Sequence, residues 1–335
     1  VFTFLKKKLN PCWYQGIKNN TQHFEGWYFK VIDKPQHNLL AIIPGVFIVK
    51  KGRNSHSFIQ IFNGADNKTY FFKFPLEDFS SKKNDFDIQI NSNQFSSQRV
   101  VLDLKDSSLE IKGNLHFTKL THWPKTFISP GIMGWYSWVP FMECYHGIVS
   151  LNHRIRGSLL INNQKVSFTD GKGYTEKDWG KSFPKAWLWC QSNHFRKKNV
   201  CFTGSIAIIP WIRKPFLGYI FGLCLNKKLY RFTTYLGAKL INFDIEDSKV
   251  KWMIQQKHYV LKVIAHRSDG GFLQAPKIGG KMIKISETLN SSLEIKLSFL
   301  SNVGEQVILE DTGRFAGFEI GGEIARLKKM YNTIV

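Results

Sequence analysis

The chain has 335 residues, 43% hydrophobic and 15% aromatic, which excludes a disordered chain and leaves room for two packed domains. Its formal net charge is +22, read either as attraction to anionic lipid or as a Lys- and Asn-rich compositional bias. The basic residues come in scattered pairs (Lys50-Lys51, Lys197-Lys198, Arg213-Lys214, Lys227-Lys228, Lys328-Lys329) with no basic helix, so nucleic acid is set aside as a partner and peripheral contact with an anionic membrane stays open.

Residues 1–9 are too short and too charged for a secretory leader, which points to a cytoplasmic protein. Strand signals begin at 24–32 and continue at 39–49, 57–62 and 69–74, with turn residues Lys34-Pro35, Gly52 and Asn63-Gly64 between them. Further short strands are expected at 86–90, 100–104 and 108–117. Residues 122–139 are irregular and rich in Pro, Gly and Trp. Strands resume at 144–152, 157–161 and 165–169, the last two joined by Asn162-Asn163. Another series runs from Ala186 to about Phe318, and residues 323–331 are the best helix candidate. The apolar stretches 127–149 and 206–225 carry Pro and charged residues, so they read as strands broken by turns rather than membrane spans. The fold class expected is all-β, in two antiparallel barrel or sandwich halves. Ala41-Ile42-Ile43-Pro44 and Ala207-Ile208-Ile209-Pro210, each after an aromatic strand, support two similar halves, 1–180 and 181–335. Five cysteines, an odd number without a C-x-x-C, suit a reducing compartment rather than a disulfide framework.

The densest block runs from Pro130 to Phe195. Alternation along a strand puts Glu176 and Asp178 on one face and Lys177 and Trp179 on the other. Glu143 and Tyr145 fall together, opposite His146. Glu25, Trp27 and Phe29 share a face. Trp187, Trp189, Gln191, Asn193 and Phe195 would form an aromatic wall with two amides, a pattern suited to a ligand, because buried amides need partners.

Several segments resemble the tocopherol cyclase family: His23 to Lys30, Pro130 to Gly147, Gly173 to Pro184, and Gln191 to Phe195. Asn10-Pro11, Tyr14-Gln15-Gly16, Tyr230-Arg231-Phe232 and Gly237-Ala238-Lys239 add to the resemblance, which spans nearly the whole chain in matching order and is weakest over 245–335. It implies a lipocalin-related fold in two barrel-like halves, in a bacterial-type member. It also implies closure of a prenylated hydroquinone to a chromanol, with no cofactor. Plant members carry a transit peptide, which this chain does not show.

That closure needs a protonated acid, a dry pocket and walls that tolerate a cation. Asp178 is the first candidate acid and Glu143 the second; structural ion pairing is the plain alternative for both. Tyr145, His146 and His194 are candidates to hold the hydroquinone oxygens. Trp27, Tyr28, Trp187, Trp189, Gln191 and Asn193 are candidate substrate contacts, though tryptophans also serve as core. Asp178 is expected at the wall of an apolar cavity, within reach of Trp187 or Trp189 and of Glu143 or Tyr145. The histidines are dispersed, so no metal is expected. A hydratase, in which water traps the same cation, and a non-catalytic carrier of a lipid or quinone are the competing functions.

Overall fold

The computed structural model describes residues 2–16, 22–49, 54–277 and 281–333. The readings at Lys50-Lys51 and Gly52 lie outside those residues. The chain divides into two units, Val1–Phe183 with Phe272–Lys284, and Pro184–Gly271 with Ile285–Val335.

The first unit opens with a short helix, α1 (Phe2–Leu9), which the sequence reading did not anticipate. Its strands are β1 (His23–Ile32), β2 (Leu39–Ile48), β3 (His56–Asn63), β4 (Lys68–Phe74), β5 (Phe79–Ser81), β6 (Asp87–Ile90), β7 (Asn93–Ser96), β8 (Arg99–Lys105), β9 (Glu110–Thr118), β10 (Cys144–Ile161), β11 (Gln164–Ser167) and β12 (Lys172–Gly180). They form one 12-stranded sheet in the order β4-β3-β2-β1-β12-β10-β9-β8-β7-β6-β5, with β11 on β10. Strand β8 shows why: Val100, Leu102 and Leu104 are buried while Arg99, Asp103 and Lys105 are exposed, a strict two-residue period. One core collects Trp27, Phe29, Phe72, Phe95 and Phe117 from strands far apart in the sheet order, with Phe86 from the bend before β6, so the sheet curls around it. Each such side chain contributes roughly 1.5–3 kcal/mol on burial.

The second unit carries β13 (Ala186–Ser192), β14 (His194–Phe195), β15 (Val200–Ile209), β16 (Phe216–Leu225), β17 (Lys228–Thr233), β18 (Lys239–Ile245), β19 (Lys249–Gln256), β20 (Tyr259–His266), most of β22 (Lys281–Ser301) and β23 (Gly304–Gly322). The sheet order is β17-β16-β15-β13-β23-β22-β20-β19-β18, with β14 on β23 and β21 (Gly271–Lys277) on β22. Its core gathers Leu188, Phe202, Phe221, Trp252 and Leu293. Helix α2 (Ile324–Asn332) seals it with Leu327 and Tyr331, close to the helix expected at the tail. The protein is therefore all-β in two antiparallel halves.

Segment Phe272–Lys284 belongs to the first unit although it lies far along the chain. The Gln60 side-chain amide donates to the Gln274 carbonyl at 3.0 Å, and the Gln274 backbone N–H donates back to Gln60 Oε1 at 2.8 Å. The Gln22 amide donates to the Lys277 carbonyl at 2.7 Å.

Two strand readings need correction. Strand β10 runs unbroken through residues 153–156, where a gap was expected. Register shifts between Ile148 and Ser150 and between Ser150 and His153 absorb the irregularity. Phe195 does not share a face with Trp187 and Trp189. The break at Asn193 changes the alternation, and Phe195 joins Leu188 and Cys190 in the core. Of the apolar stretch 127–149, only the part from Cys144 onward is strand. No helix among the described residues is long and apolar enough to cross a membrane.

Candidate active site

Strand β12 lies between β1 and β10, and its two faces differ sharply. The odd-numbered side chains turn inward. Lys177, with no exposure, ion-pairs with equally buried Glu25 at 2.5 Å and donates to the Trp13 carbonyl at 2.5 Å. Its ammonium sits 4.6 Å from the Trp27 ring centre and 4.8 Å from that of Trp179. Glu25 also accepts hydrogen bonds from His23 at 2.7 Å and from the Gln15 and Gly16 backbone N–H groups at 3.0 and 2.7 Å. Burial opposes the Glu25 charge, but Lys177 and His23 outweigh it and hold the carboxyl down at about 2. Trp27, offered as a substrate contact, lies within this interior: it stacks on Phe86 and donates to the Cys12 carbonyl at 2.9 Å.

The even-numbered side chains of β12 occupy the other face. Register sets His146 opposite Asp178 and Tyr28 opposite Glu176. His146 Nδ1 lies 2.9 Å from Asp178 Oδ1, and Nε2 lies 3.7 Å from Glu176 Oε2. The buried Tyr174 hydroxyl donates to Glu176. Burial opposes a charge on His146, but the Asp178 and Glu176 carboxylates outweigh it and raise its pKa to about 9. At neutral pH the imidazole is thus a cation between two acids. On its other side Asp178 faces Gly26 across the strands. A Cβ placed on Gly26 would meet nothing closer than Ile43 at 4.0 Å, so space is open beside the carboxyl. Asp178 keeps 23% of its side chain exposed, so solvent or a ligand reaches it.

His146 and the two acids are the one group of three His, Cys, Asp or Glu donors found among the described residues with ligand atoms all within 4.8 Å of one another. The same two carboxylates that favour a proton on His146 would favour a cation there, and binding one would release that proton.

The other candidates are distributed as follows. Tyr145 lies on the opposite face of the sheet from Asp178, stacked on Trp179 at 5.4 Å, and its hydroxyl donates to the Val139 carbonyl at 2.5 Å. Glu143 precedes β10, and its backbone carbonyl accepts from Lys181 at 2.8 Å and Ser182 at 3.3 Å. Trp187, Trp189, Gln191, Asn193 and His194 belong to the second unit. Trp187, Trp189 and Gln191 alternate away from its core. The Trp187 indole donates to Glu319, and Glu319 faces Glu287 across the strands. His194 sets its ring edge-on to Phe315 at 5.8 Å. Tyr174, Gly26, Glu287 and Glu319 were missed in the sequence. Tyr174 alone carried a signal, the same two-residue step that joins Glu176 to Asp178.

The protein is thus an all-β protein in two antiparallel units, with a His–Asp–Glu cluster on one sheet face of the first. The chain belongs to the tocopherol cyclase-like family, whose profile matches residues 101–322, well over half of it. It is 25% identical over 201 residues to the chloroplastic tocopherol cyclase of Zea mays, and 26% over 202 residues to an Oryza sativa subsp. japonica protein named "Probable tocopherol cyclase, chloroplastic". Each match takes in 56% of this chain but only 41% and 42% of the plant proteins, so the chain spans about two fifths of their length. Among solved structures, CghA with Sch210972 shares the fold at a TM-score of 0.55 and 8% identity, covering 90% of this chain and 88% of that one. A Nitrosomonas europaea protein assigned as AttH does so at 0.51 and 12%, covering 92% and 94%. At these identities the likeness is one of fold.

Proposed function

We propose that the protein is a cofactor-independent cyclase that closes a prenylated hydroquinone to a chromanol. The observation that carries this reading is the His146–Asp178 pair at 2.9 Å beside the space left by Gly26. His146 passes its Nδ1 proton to Asp178, which becomes the neutral acid. Asp178 then protonates the trisubstituted alkene, forming a new C–H bond and a tertiary cation. The phenol oxygen attacks the cation, and the phenol proton returns to the Asp178–His146 pair. No atom is gained or lost, so the reaction is an isomerisation. A positioned acid contributes ~10²–10⁴-fold, and folding the prenyl chain toward the ring supplies more. Membership of the family and the likeness to plant cyclases support this reading.

The partial exposure of Asp178 favours a second reading, a hydratase in which water traps the same cation. One experiment separates them: incubation of purified protein with prenylated quinols, followed by mass spectrometry. A ring-closed product of unchanged mass supports the cyclase, and a gain of one water supports the hydratase. Ligand returned intact under all conditions excludes both and leaves a carrier.

A further inference from the structure

The connection between β9 and β10, residues 119–143, is irregular and faces two ways. On its inner side Ile132, Met133 and Met142 are buried, and the His146 backbone N–H donates to Met133 Sδ at 3.1 Å. On its outer side Phe127 is 68% exposed, Ile128 74%, Trp135 42% and Phe141 45%. Most large apolar groups of the protein avoid water, so four within one connection call for a partner.

The outer side is not loose chain. Trp138 donates its indole N–H to the Phe127 carbonyl at 3.1 Å and sets its ring 5.5 Å from that of Phe127. Trp135 packs on Tyr136 at 4.1 Å. Turns close from Thr126 to Ser129, from Gly131 to Gly134 and from Tyr136 to Val139. Lys8 of α1 donates to the Ser137 carbonyl at 2.9 Å. The apolar groups are thus presented on a fixed frame.

Charge identifies the partner. From Ile111 to Met142 the sequence holds no Asp or Glu, while Lys119 and Lys125 are exposed. Aromatic side chains flanked by lysines, with half-buried Glu143 at the far end of the connection as its one acid, match the interfacial layer of an anionic bilayer. Irregular backbone does not enter the hydrocarbon core, so contact stops at headgroup and upper-chain depth.

We propose that residues 119–142 form a docking surface for an anionic lipid bilayer, with Phe127, Ile128, Trp135 and Phe141 entering the interface and Lys119 and Lys125 meeting lipid phosphates. Docking stands on the exposed side chains alone. Its use, to bring a membrane-dissolved ligand to the strand face behind Met133, rests on the cyclase reading above.

The test is flotation of the full chain with phosphatidylcholine vesicles and with phosphatidylglycerol-containing vesicles, at low and high salt. Wild-type protein should float with the anionic vesicles, less so at high salt. The Phe127→Ser/Ile128→Ser variant, altered only at exposed positions, should bind at least ~10-fold more weakly, and Lys119→Glu/Lys125→Glu should lose the salt-sensitive part. Equal flotation of Phe127→Ser/Ile128→Ser and wild type overturns the proposal, as does failure of wild type to float. Self-association of wild type that this variant abolishes also overturns it, assigning the patch to a second copy. Assays in detergent keep the two readings apart. If Phe127→Ser/Ile128→Ser turns over detergent-dispersed quinol at the wild-type rate while losing vesicles, both stand. If neither protein turns over quinol but wild type still floats, the cyclase reading fails and docking stands.

Discussion

His146 and Asp178 face each other directly across β10 and β12, with Nδ1 and Oδ1 2.9 Å apart. The pairing puts the proton-bearing imidazole within hydrogen-bond reach of the carboxylate. Asp178→Asn removes the donor while nearly keeping its shape, so turnover of a prenylated quinol should fall at least ~10²-fold with binding intact. Retained turnover in Asp178→Asn together with collapse in Glu143→Gln would move the acid to Glu143.

The pH dependence follows from the carboxylates around His146. Its pKa stands at about 9 in the fold against 6.5 ordinarily. A raised pKa means its stabilisation is complete below about pH 6.5 and is lost as pH rises through about 9. The amount is on the order of 3 kcal/mol, an upper figure because the cluster is partly open to solvent. Urea melts at several pH values should show wild type losing stability over that window and His146→Gln losing much less. Turnover should fall over the same window. A wild-type rate that rises from pH 8 to 10 would contradict this assignment of the proton.

The interior ion pair predicts a different signature. Removing one member strands the other without water, so Lys177→Met should cost roughly 3–5 kcal/mol. Glu25→Gln/Lys177→Met should recover part of that loss, which a double-mutant cycle measures. Because the Glu25 carboxyl is held down at about 2, its contribution is present above pH 4.5 and lost as pH falls through about 2.

Gly180 ends β12 at a φ of +151°, and a Cβ there would lie 2.2 Å from the Glu143 carbonyl oxygen. Gly180→Ala should destabilise the first unit by more than about 1 kcal/mol, visible as a lower thermal midpoint. A neutral substitution would mean that the β10–β12 junction yields more readily than its geometry indicates.

Cysteine reactivity should separate by position. Cys224 faces Cys201 across β15 and β16, and a hydrogen bond from Cys201 lowers its pKa despite burial. Burial alone pushes Cys190 up. Alkylation followed by peptide mapping should label Cys224 well before Cys190.

What the sequence revealed was periodicity, and what it concealed was register. Alternation alone separated Asp178 and Glu176 from Lys177 and Trp179, because a side chain's face depends only on the strand that carries it. That His146 rather than Tyr145 meets Asp178 depends on how β10 slides along β12, and bulges within β10 alter that alignment farther along the pair. Phe195 failed for a related reason: one irregular residue, Asn193, changes the alternation, and nothing in its identity announces it. Alternation set Lys177 on the face opposite the two acids without saying what it meets there. Its burial follows from the Glu25 partner on β1, some 150 positions away in the sequence.

The excursion of Phe272–Lys284 bears on how the chain matures. During synthesis the N-terminal strands emerge first, yet the carbonyl and amide of Gln274 that satisfy Gln60 arrive only after most of the second unit has been made. The first unit is therefore finished late, by a staple delivered from downstream. A gene cut after Phe183 encodes a product whose Gln60 side chain, 2% exposed in the full chain, has lost both polar partners. Halves expressed separately should for that reason be poor substitutes for the whole, because the first cannot complete itself without a segment that the second half of the chain carries.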